Sequence, residues 1–195
     1  VFRGDQLDVL FLTLLLSLVF ARAAVFMFFP HAHFDSDQAV FGLMGKDIAA
    51  GRGFPLFMYG QRYMLSIGSW LCAGVFKLFG ATPFTLKLPM LVYNLAIVGL
   101  LWTLLRREAG VGPIGAFVAI LPFALPSVVS ASRLIEHQGC NVEPFLFVLV
   151  GYLVRNRPIA LGLVFGVGFL NREFALIGFI ALLAIDVLEG SLVKR

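Results

Sequence analysis

The chain has 195 residues, of which 60% are hydrophobic and 13% are charged. A typical soluble domain is about 45–50% apolar and about 25% charged, so this composition excludes an ordinary soluble domain and indicates an integral membrane protein. The formal net charge of +4 suits a membrane that contains anionic lipids, and no basic patch with interleaved aromatic residues points to nucleic acid as a partner.

The first predicted element is a membrane span over residues 7–29. This apolar run is too long for the core of a secretory signal peptide, and further apolar runs follow it. Arg22 interrupts the run, and two interpretations are open. The side chain snorkels to the interface, or its charge faces a wet cavity.

Residues 31–81 are too polar and too interrupted to cross a membrane, so they are predicted to form a loop with interfacial helices. Asp35 and Gln38 have the three-residue spacing of a capping box, which makes Asp35 a candidate N-cap and leaves Asp37 in the first turn. An apolar stripe at helical spacing follows and ends before two glycines.

The rest of this loop contains two further predicted segments. Residues 54–63 are predicted as an irregular loop in which Gln61, Arg62 and Tyr63 follow several aromatic residues. Residues 64–79 are apolar but short, and they are predicted to form a second interfacial helix.

Residues 83–189 are predicted to contain spans two to six. Span two begins at Thr82-Pro83, a favourable pair for the cap and first position of a helix. Span three is predicted over 111–129, with Pro122 and Pro126 expected to kink it.

Glu143 and Arg172 are placed below the membrane surface by the shortness of spans four and five. The uncharged run from Pro144 to Val154 is only about 16 Å of helix at 1.5 Å per residue, and Pro144 favours the first helical turn. Span five, 158–170, is similarly short and ends directly before Arg172. Charged groups at that depth are expensive unless they serve a function, so both residues are candidate site residues.

The paired basic residues in short turns and tails place both termini in the cytoplasm and the 31–81 loop outside. Carboxylates and arginines then converge on the outer side, where arginine forks suit phosphate oxygens and a carboxylate can take a proton from a hydroxyl. The candidates are Asp35, Asp37, Gln61, Arg62, Tyr63, Arg133, Glu136, His137, Glu143, Arg172 and Glu173.

Structural roles remain open for several of these residues. Asp35 is explained by capping alone, and Glu136 and His137 are explained as interfacial residues. Glu173 is explained as a partner of Arg172. The pair His31 and His33 is weak support for a metal site, and the two cysteines lack metal-ligand spacing, so no metal ligands are predicted.

Several motifs, in this order and spacing, resemble those of the C-fold glycosyltransferases of family 39, which include protein mannosyltransferases and the lipid A aminoarabinose transferases. The motifs are Asp37-Gln38-Ala39-Val40-Phe41 after the first span, Tyr59-Gly60-Gln61-Arg62-Tyr63-Met64, Val142-Glu143-Pro144-Phe145, and Gly168-Phe169-Leu170-Asn171-Arg172-Glu173 between spans five and six. The chain departs from the family pattern where Gln38 replaces a glutamate and Arg172 replaces a lysine. No clear counterpart of the family's phosphate lysine follows Tyr63.

The resemblance implies an inverting glycosyltransferase that moves a hexosyl or pentosyl group from a polyprenyl-phosphate donor to a hydroxyl of a lipid, glycan or protein acceptor. It implies Asp37 as the catalytic base, with Glu143 orienting the acceptor or supporting that base. Gln61, Arg62 and Arg172 would stabilise the leaving phosphate, and Asp35, Tyr63 and Arg133 would help to bind substrate. The resemblance identifies no particular cofactor, and it leaves open whether a divalent cation takes part.

The predicted fold class is therefore an all-α, multi-pass membrane protein with about six spans. Residues 1–195 are expected to be a single module, an amino-terminal part of a longer chain in a bacterial inner membrane, with its site facing outside. A transporter or channel with a polar cavity, or a non-catalytic membrane scaffold, remains an alternative. Truncated helices suit a transporter as well.

Overall fold

The computed structural model describes residues 4–29, 34–137 and 142–188, which are predominantly helical. They divide into two compact units. Unit 1 comprises the described parts of Val1–Phe54 and Gly68–Gln138, and unit 2 comprises Pro55–Ile67 with the described part of Gly139–Arg195. The predicted helical class is confirmed, and one short antiparallel hairpin is added to it.

Unit 1 is built on α1 (Gly4–Phe28), which packs against α4 (Pro83–Thr103), α5 (Pro113–Ala124) and α6 (Val128–Arg133). Burial of apolar side chains between helices is the main source of this packing. One buried cluster joins α1, α4 and α5, and it consists of Leu15, Val19, Val98, Trp102, Ala116, Ile120 and Ala124.

Helix α4 begins where the sequence predicts. The backbone N–H of Thr85 donates to Thr82 Oγ1 at 3.1 Å, and the backbone N–H of Thr82 donates to Thr85 Oγ1 at 2.9 Å, which completes a capping box. The helix continues into a π-helical segment, Leu104–Glu108. There Arg106 donates to both carboxylate oxygens of Asp8 at 2.5 and 2.8 Å, which ties this end of α4 to the start of α1.

The predicted third span, 111–129, is wrong in extent because the structure divides it into α5 and α6. Pro126 accounts for the break, since the residue before a proline is disfavoured in the α region. Leu125 has φ −126° and ψ 66°, outside that region. With 12 residues, α5 is ~18 Å long, shorter than the ~30 Å hydrocarbon core.

Arg22 lies inside unit 1 and is only 9% exposed. Its Nη1 donates to the Phe123 carbonyl and its Nη2 donates to Asn94 Oδ1, both at 2.6 Å. Phe123 is near the end of α5, where the last carbonyls of a helix lack intrahelical donors. The guanidinium therefore bridges α1, α4 and α5, rather than snorkelling to the interface or facing a cavity.

Helices α2 (Ser36–Ala49) and α3 (Ile67–Phe79) follow α1 along the chain. They come into contact at Gly45. A Cβ added there would lie 3.0 Å from Cys72 Cβ and 3.2 Å from the Ser69 carbonyl oxygen, so a glycine allows the two helices to touch.

The segment 54–63, for which the sequence predicts a loop, contains a hairpin of β1 (Phe57–Met58) and β2 (Gln61–Leu65). Met58 pairs with Gln61, so the turn is Tyr59-Gly60, and Gly60 has φ +79°. Glycine adopts this left-handed conformation without steric cost, which favours a tight turn. Because β2 extends to Leu65, the following helix starts at Ile67 instead of residue 64.

Unit 2 consists of this hairpin with α7 (Glu143–Leu153), α8 (Pro158–Asn171) and α9 (Ala175–Leu188). The three helices pack on one another, and β2 packs against α8. The bounds of α7 and α8 agree with the predicted spans four and five to within one residue. Helix α7 begins at Glu143 itself, one residue earlier than predicted.

Two helices of the described chain, Asp5–Phe28 and Pro83–Glu108, are long and apolar enough to cross a membrane. Five more apolar helices have 10–17 residues: Ile67–Phe79, Pro113–Ala124, Glu143–Leu153, Pro158–Asn171 and Ala175–Leu188. Two of the six predicted spans therefore meet this length criterion.

We expect Gly45→Ala to destabilise the protein by about 1–3 kcal/mol, because the added methyl group overpacks the contact between α2 and α3. Gly74→Ala is the matched control. Gly74 lies on α3, where an added Cβ meets nothing within 4 Å, and alanine has the higher helix propensity. Thermal unfolding in detergent checks both variants, and an equal Tm for the two would contradict the close packing at Gly45.

Candidate functional site

The N-terminus of α2 carries the two aspartates singled out by the sequence. Asp35 has an extended backbone, and its Oδ1 accepts a hydrogen bond from the Gln38 N–H at 3.0 Å, so it is the N-cap that the spacing predicts. Asp37 lies in the first helical turn and is exposed to solvent. The two carboxylates therefore differ in environment although they are only two residues apart.

A pocket of about 340 Å³ lies in unit 1 beside the Asp35 cap. Its polar wall comes from the end of α6, where Arg133 Nη1 donates to Glu136 Oε2 at 3.2 Å. Glu136 is buried, whereas Arg133 is exposed. The pocket thus combines two carboxylates and a guanidinium with an apolar rim, and its lining is Phe34, Asp35, Val128, Val129, Ser132, Arg133 and Glu136.

Lys87 is a site residue that the sequence analysis missed. Its side chain is fully buried in the first turns of α4, and Nζ donates to the Phe26 carbonyl near the end of α1 at 3.0 Å. The carboxylates of Glu136 and Asp35 are its electrostatic partners. The available signal was a lysine within an otherwise apolar segment that begins a span, because a buried charge in such a segment requires partners.

His137 is buried in the same unit and makes packing contacts. Its Nε2 lies 2.6 Å from the Leu86 carbonyl and 3.5 Å from Cys72 Sγ, and its ring centroid is 5.4 Å from that of Phe41. These contacts connect the segment after α6 to α4, α3 and α2. This environment favours a structural role for His137 over the interfacial one.

No group of three His, Cys, Asp or Glu residues suited to a metal ion occurs within residues 4–29, 34–137 and 142–188. His31 and His33 lie outside these ranges, as does Cys140.

Unit 2 brings together Glu143 and Arg172. Arg172 Nε donates to Glu143 Oε2 at 3.4 Å, and Asn171 Nδ2 donates to the same oxygen at 3.3 Å. All three residues are buried. Glu143 Oε1 has no hydrogen-bond partner within the described residues. This carboxylate oxygen can therefore accept a hydrogen bond from a further group.

Strand β2 carries the second set of predicted phosphate-binding residues. Met64 is the buried residue of this strand, and it lies two positions after the exposed Arg62. Met64 Sδ contacts Arg172 Nη1. Arg62 and Tyr63 are exposed, and Gln61 is half-buried. The strand therefore carries an accessible guanidinium two residues before the Met64 side chain that contacts Arg172.

The comparisons with known proteins give one match. Residues 66–194 match the model of the family described as dolichyl-phosphate-mannose-protein mannosyltransferase. No curated protein and no solved structure matches the chain. The match includes Arg133, Glu143 and Arg172, and it begins after Asp37 and Arg62. Since it covers about two thirds of the 195 residues, the chain belongs to the dolichyl-phosphate-mannose-protein mannosyltransferase family, which makes it a glycosyltransferase-type membrane protein.

Proposed function

We propose that the protein is an inverting glycosyltransferase that moves a hexosyl or pentosyl group from a polyprenyl-phosphate donor to an acceptor hydroxyl at the outer membrane face. The family match over residues 66–194 is the observation that carries this proposal. The acceptor is the hydroxyl of a lipid, a glycan or a protein. Each unit is supported separately: the pocket of unit 1 has carboxylates beside a guanidinium, and unit 2 has the exposed guanidinium of Arg62.

Asp37 is the proposed catalytic base. The Asp35 carboxylate is engaged by the Gln38 N–H, whereas Asp37 is exposed in the first turn, so Asp37 is better placed to meet an acceptor. Its carboxylate takes the proton from the acceptor hydroxyl, whose oxygen attacks the anomeric carbon. The bond from that carbon to the lipid phosphate breaks, and the phosphate leaves with the electron pair on the opposite face of the sugar.

Arg62 and Gln61, with Arg172, are proposed to stabilise the leaving phosphate. Charge develops on its oxygens as the bond breaks, and preorganised donors aimed at developing charge lower the barrier. Arg62 is exposed and available for a first contact. Arg172 is buried, so its contribution requires the phosphate to approach the face of β2 that carries Met64.

Glu143 acts in this scheme as a positioning residue for Arg172, because it accepts hydrogen bonds from both Arg172 and Asn171. Its second oxygen remains available to orient an acceptor hydroxyl. The remaining predicted substrate-binding residues are Asp35, Tyr63 and Arg133.

The proposed topology has six spans, with both termini in the cytoplasm of a bacterial cell and the α2–α3 segment outside the inner membrane. The short helices of unit 2 leave polar ends at membrane depth. Such ends are tolerated where they face protein or water rather than lipid, which fits the bonded Glu143–Arg172 pair.

We expect Asp37→Asn to reduce transfer by about 10²–10⁴-fold, because the amide preserves size but cannot act as a base. The assay is sugar transfer from a polyprenyl-phosphate sugar by the full-length protein in detergent. Asp35→Asn is the matched comparison, and it should lose far less activity than Asp37→Asn, since asparagine is also a good N-cap and Asp35 is not the proposed base.

Two outcomes of this pair of variants would count against the scheme. If Asp37→Asn keeps near wild-type turnover while Asp35→Asn is folded but inactive, then Asp35 rather than Asp37 is the base. Full activity of both variants would show that neither aspartate acts as the general base.

We expect Arg62→Ala to lower kcat/KM by at least about tenfold, because a charge-assisted hydrogen bond to phosphate contributes roughly 1.5–3 kcal/mol. Arg52→Ala is the control, since Arg52 is also exposed but pairs with Asp47 at 2.5 Å. Equal kcat/KM values for the two variants would exclude Arg62 from the phosphate site.

A further inference from the structure

A groove of about 310 Å³ runs along one face of α2 in unit 1. Clefts that bind small molecules are typically ~300–1,000 Å³, so this groove is large enough for part of a ligand. Four of its lining residues recur at helical spacing on α2, and α3 and the start of α4 supply the opposite wall. The lining includes Ala39, Gly42, Leu43, Lys46, Phe76 and Leu86.

Small side chains on α2 keep the groove open. A Cβ added at Gly42 would lie 3.6 Å from a Leu86 methyl group, and Ala39 is one turn away. Larger residues at these positions would occupy the space between α2 and α4.

The lining is apolar apart from Thr82, whose hydroxyl is engaged in the α4 capping box, and one charged residue. Lys46 supplies this charge, and no acidic residue lines the groove within the described part of the chain. The neighbouring Asp47 is engaged by Arg52 at 2.5 Å. The groove is therefore chemically suited to a hydrocarbon chain with an anionic group at the lysine.

Large apolar side chains near the groove are exposed and would be stabilised by contact with lipid rather than water. Leu43 is 59% exposed, and the segment between lining residues Phe76 and Ala81 exposes Leu78 by 77% and Phe79 by 67%. Contiguous exposed apolar side chains beside a lysine are typical of a surface that lies in the membrane interface.

We propose that this groove binds one anionic phospholipid of the membrane. One acyl chain occupies the groove between α2, α3 and α4, and the lipid phosphate accepts hydrogen bonds from the Lys46 ammonium. The bound lipid thereby fixes α2, the helix that carries Asp37, at the membrane surface.

The helical geometry separates this lipid from the sugar donor. Lys46 is nine residues after Asp37, which is two and a half turns and ~13 Å along the axis, so the two side chains leave opposite sides of α2. In a glycosyl phosphate, the anomeric carbon is bonded to a phosphate oxygen, and reacting atoms approach within about 3–3.5 Å. A phosphate at Lys46 therefore does not belong to the donor that reacts at Asp37.

Titration of the delipidated full-length protein with phosphatidylglycerol or phosphatidylcholine, monitored by native mass spectrometry, tests the proposal. We expect one phosphatidylglycerol per chain with a Kd at least tenfold lower than that of phosphatidylcholine. Lys46→Gln should abolish this preference, and Ala39→Phe should reduce binding of phosphatidylglycerol by filling the groove. Lys77→Gln, on the exposed end of α3, removes the same charge and should keep the preference.

Competition with polyprenyl phosphate distinguishes a resident lipid from the donor. Polyprenyl phosphate should leave the phosphatidylglycerol bound, and Asp37→Asn should bind phosphatidylglycerol as the wild-type protein does. An unchanged preference in Lys46→Gln would overturn the proposal, as would displacement by polyprenyl phosphate. Neither result depends on transfer activity, so the test is independent of the proposed function.

Discussion

The buried guanidinium of Arg22 is the constraint on which the arrangement of unit 1 depends. A charge inside an apolar bundle is costly unless hydrogen bonds replace its lost hydration. Phe123 and Asn94 provide acceptors at 2.6 Å. The Asn94 amide in turn donates to the Met90 and Leu134 carbonyls, both at 2.7 Å. This network fixes α1, α4, the end of α5 and the turn after α6 in one arrangement.

A second buried cation is bonded to a backbone carbonyl near the C-terminus of α1. Phe26 lies in the last turn of that helix, and its carbonyl accepts from the buried Lys87 ammonium. Cations stabilise helix C-termini because the terminal carbonyls carry partial negative charge. The two cations differ in the groups that they connect. Arg22 bonds to a helix carbonyl and an asparagine amide, whereas the Lys87 ammonium bonds to a helix carbonyl and lies in the electrostatic field of the Asp35 and Glu136 carboxylates.

Local rules were sufficient where a few adjacent residues determine the structure. The caps at Asp35 and Thr82 each follow from a short motif, and the structure has both. Pro126 was expected to kink a continuous span, whereas the structure has a break there. The Gly60 turn was equally local, but the hairpin was missed because β1 contains only two residues and lacks a recognisable alternating pattern.

Contacts between distant residues could not be read from the sequence. Arg22 and Asn94 are 72 positions apart, and nothing local in either segment identifies the other as its partner. The shortness of spans four and five did predict that Glu143 and Arg172 lie at a similar depth. The two spans are joined by one turn, and each residue stands at the far end of its short helix from that turn. No helix length of this kind indicated the depth of Lys87, so its burial became evident only from the packing of α4 against α1.

The central claim is that the chain catalyses an inverting transfer from a lipid phosphate through a single displacement. The anomeric configuration of the product, measured by NMR after transfer from a polyprenyl-phosphate sugar of known configuration, tests it most directly. We expect a product with the configuration opposite to that of the donor, because the proposed base, Asp37, would activate the acceptor on the face remote from the phosphate. A product with the donor's configuration would contradict the inverting mechanism, since retention requires a covalent intermediate or attack on the same face.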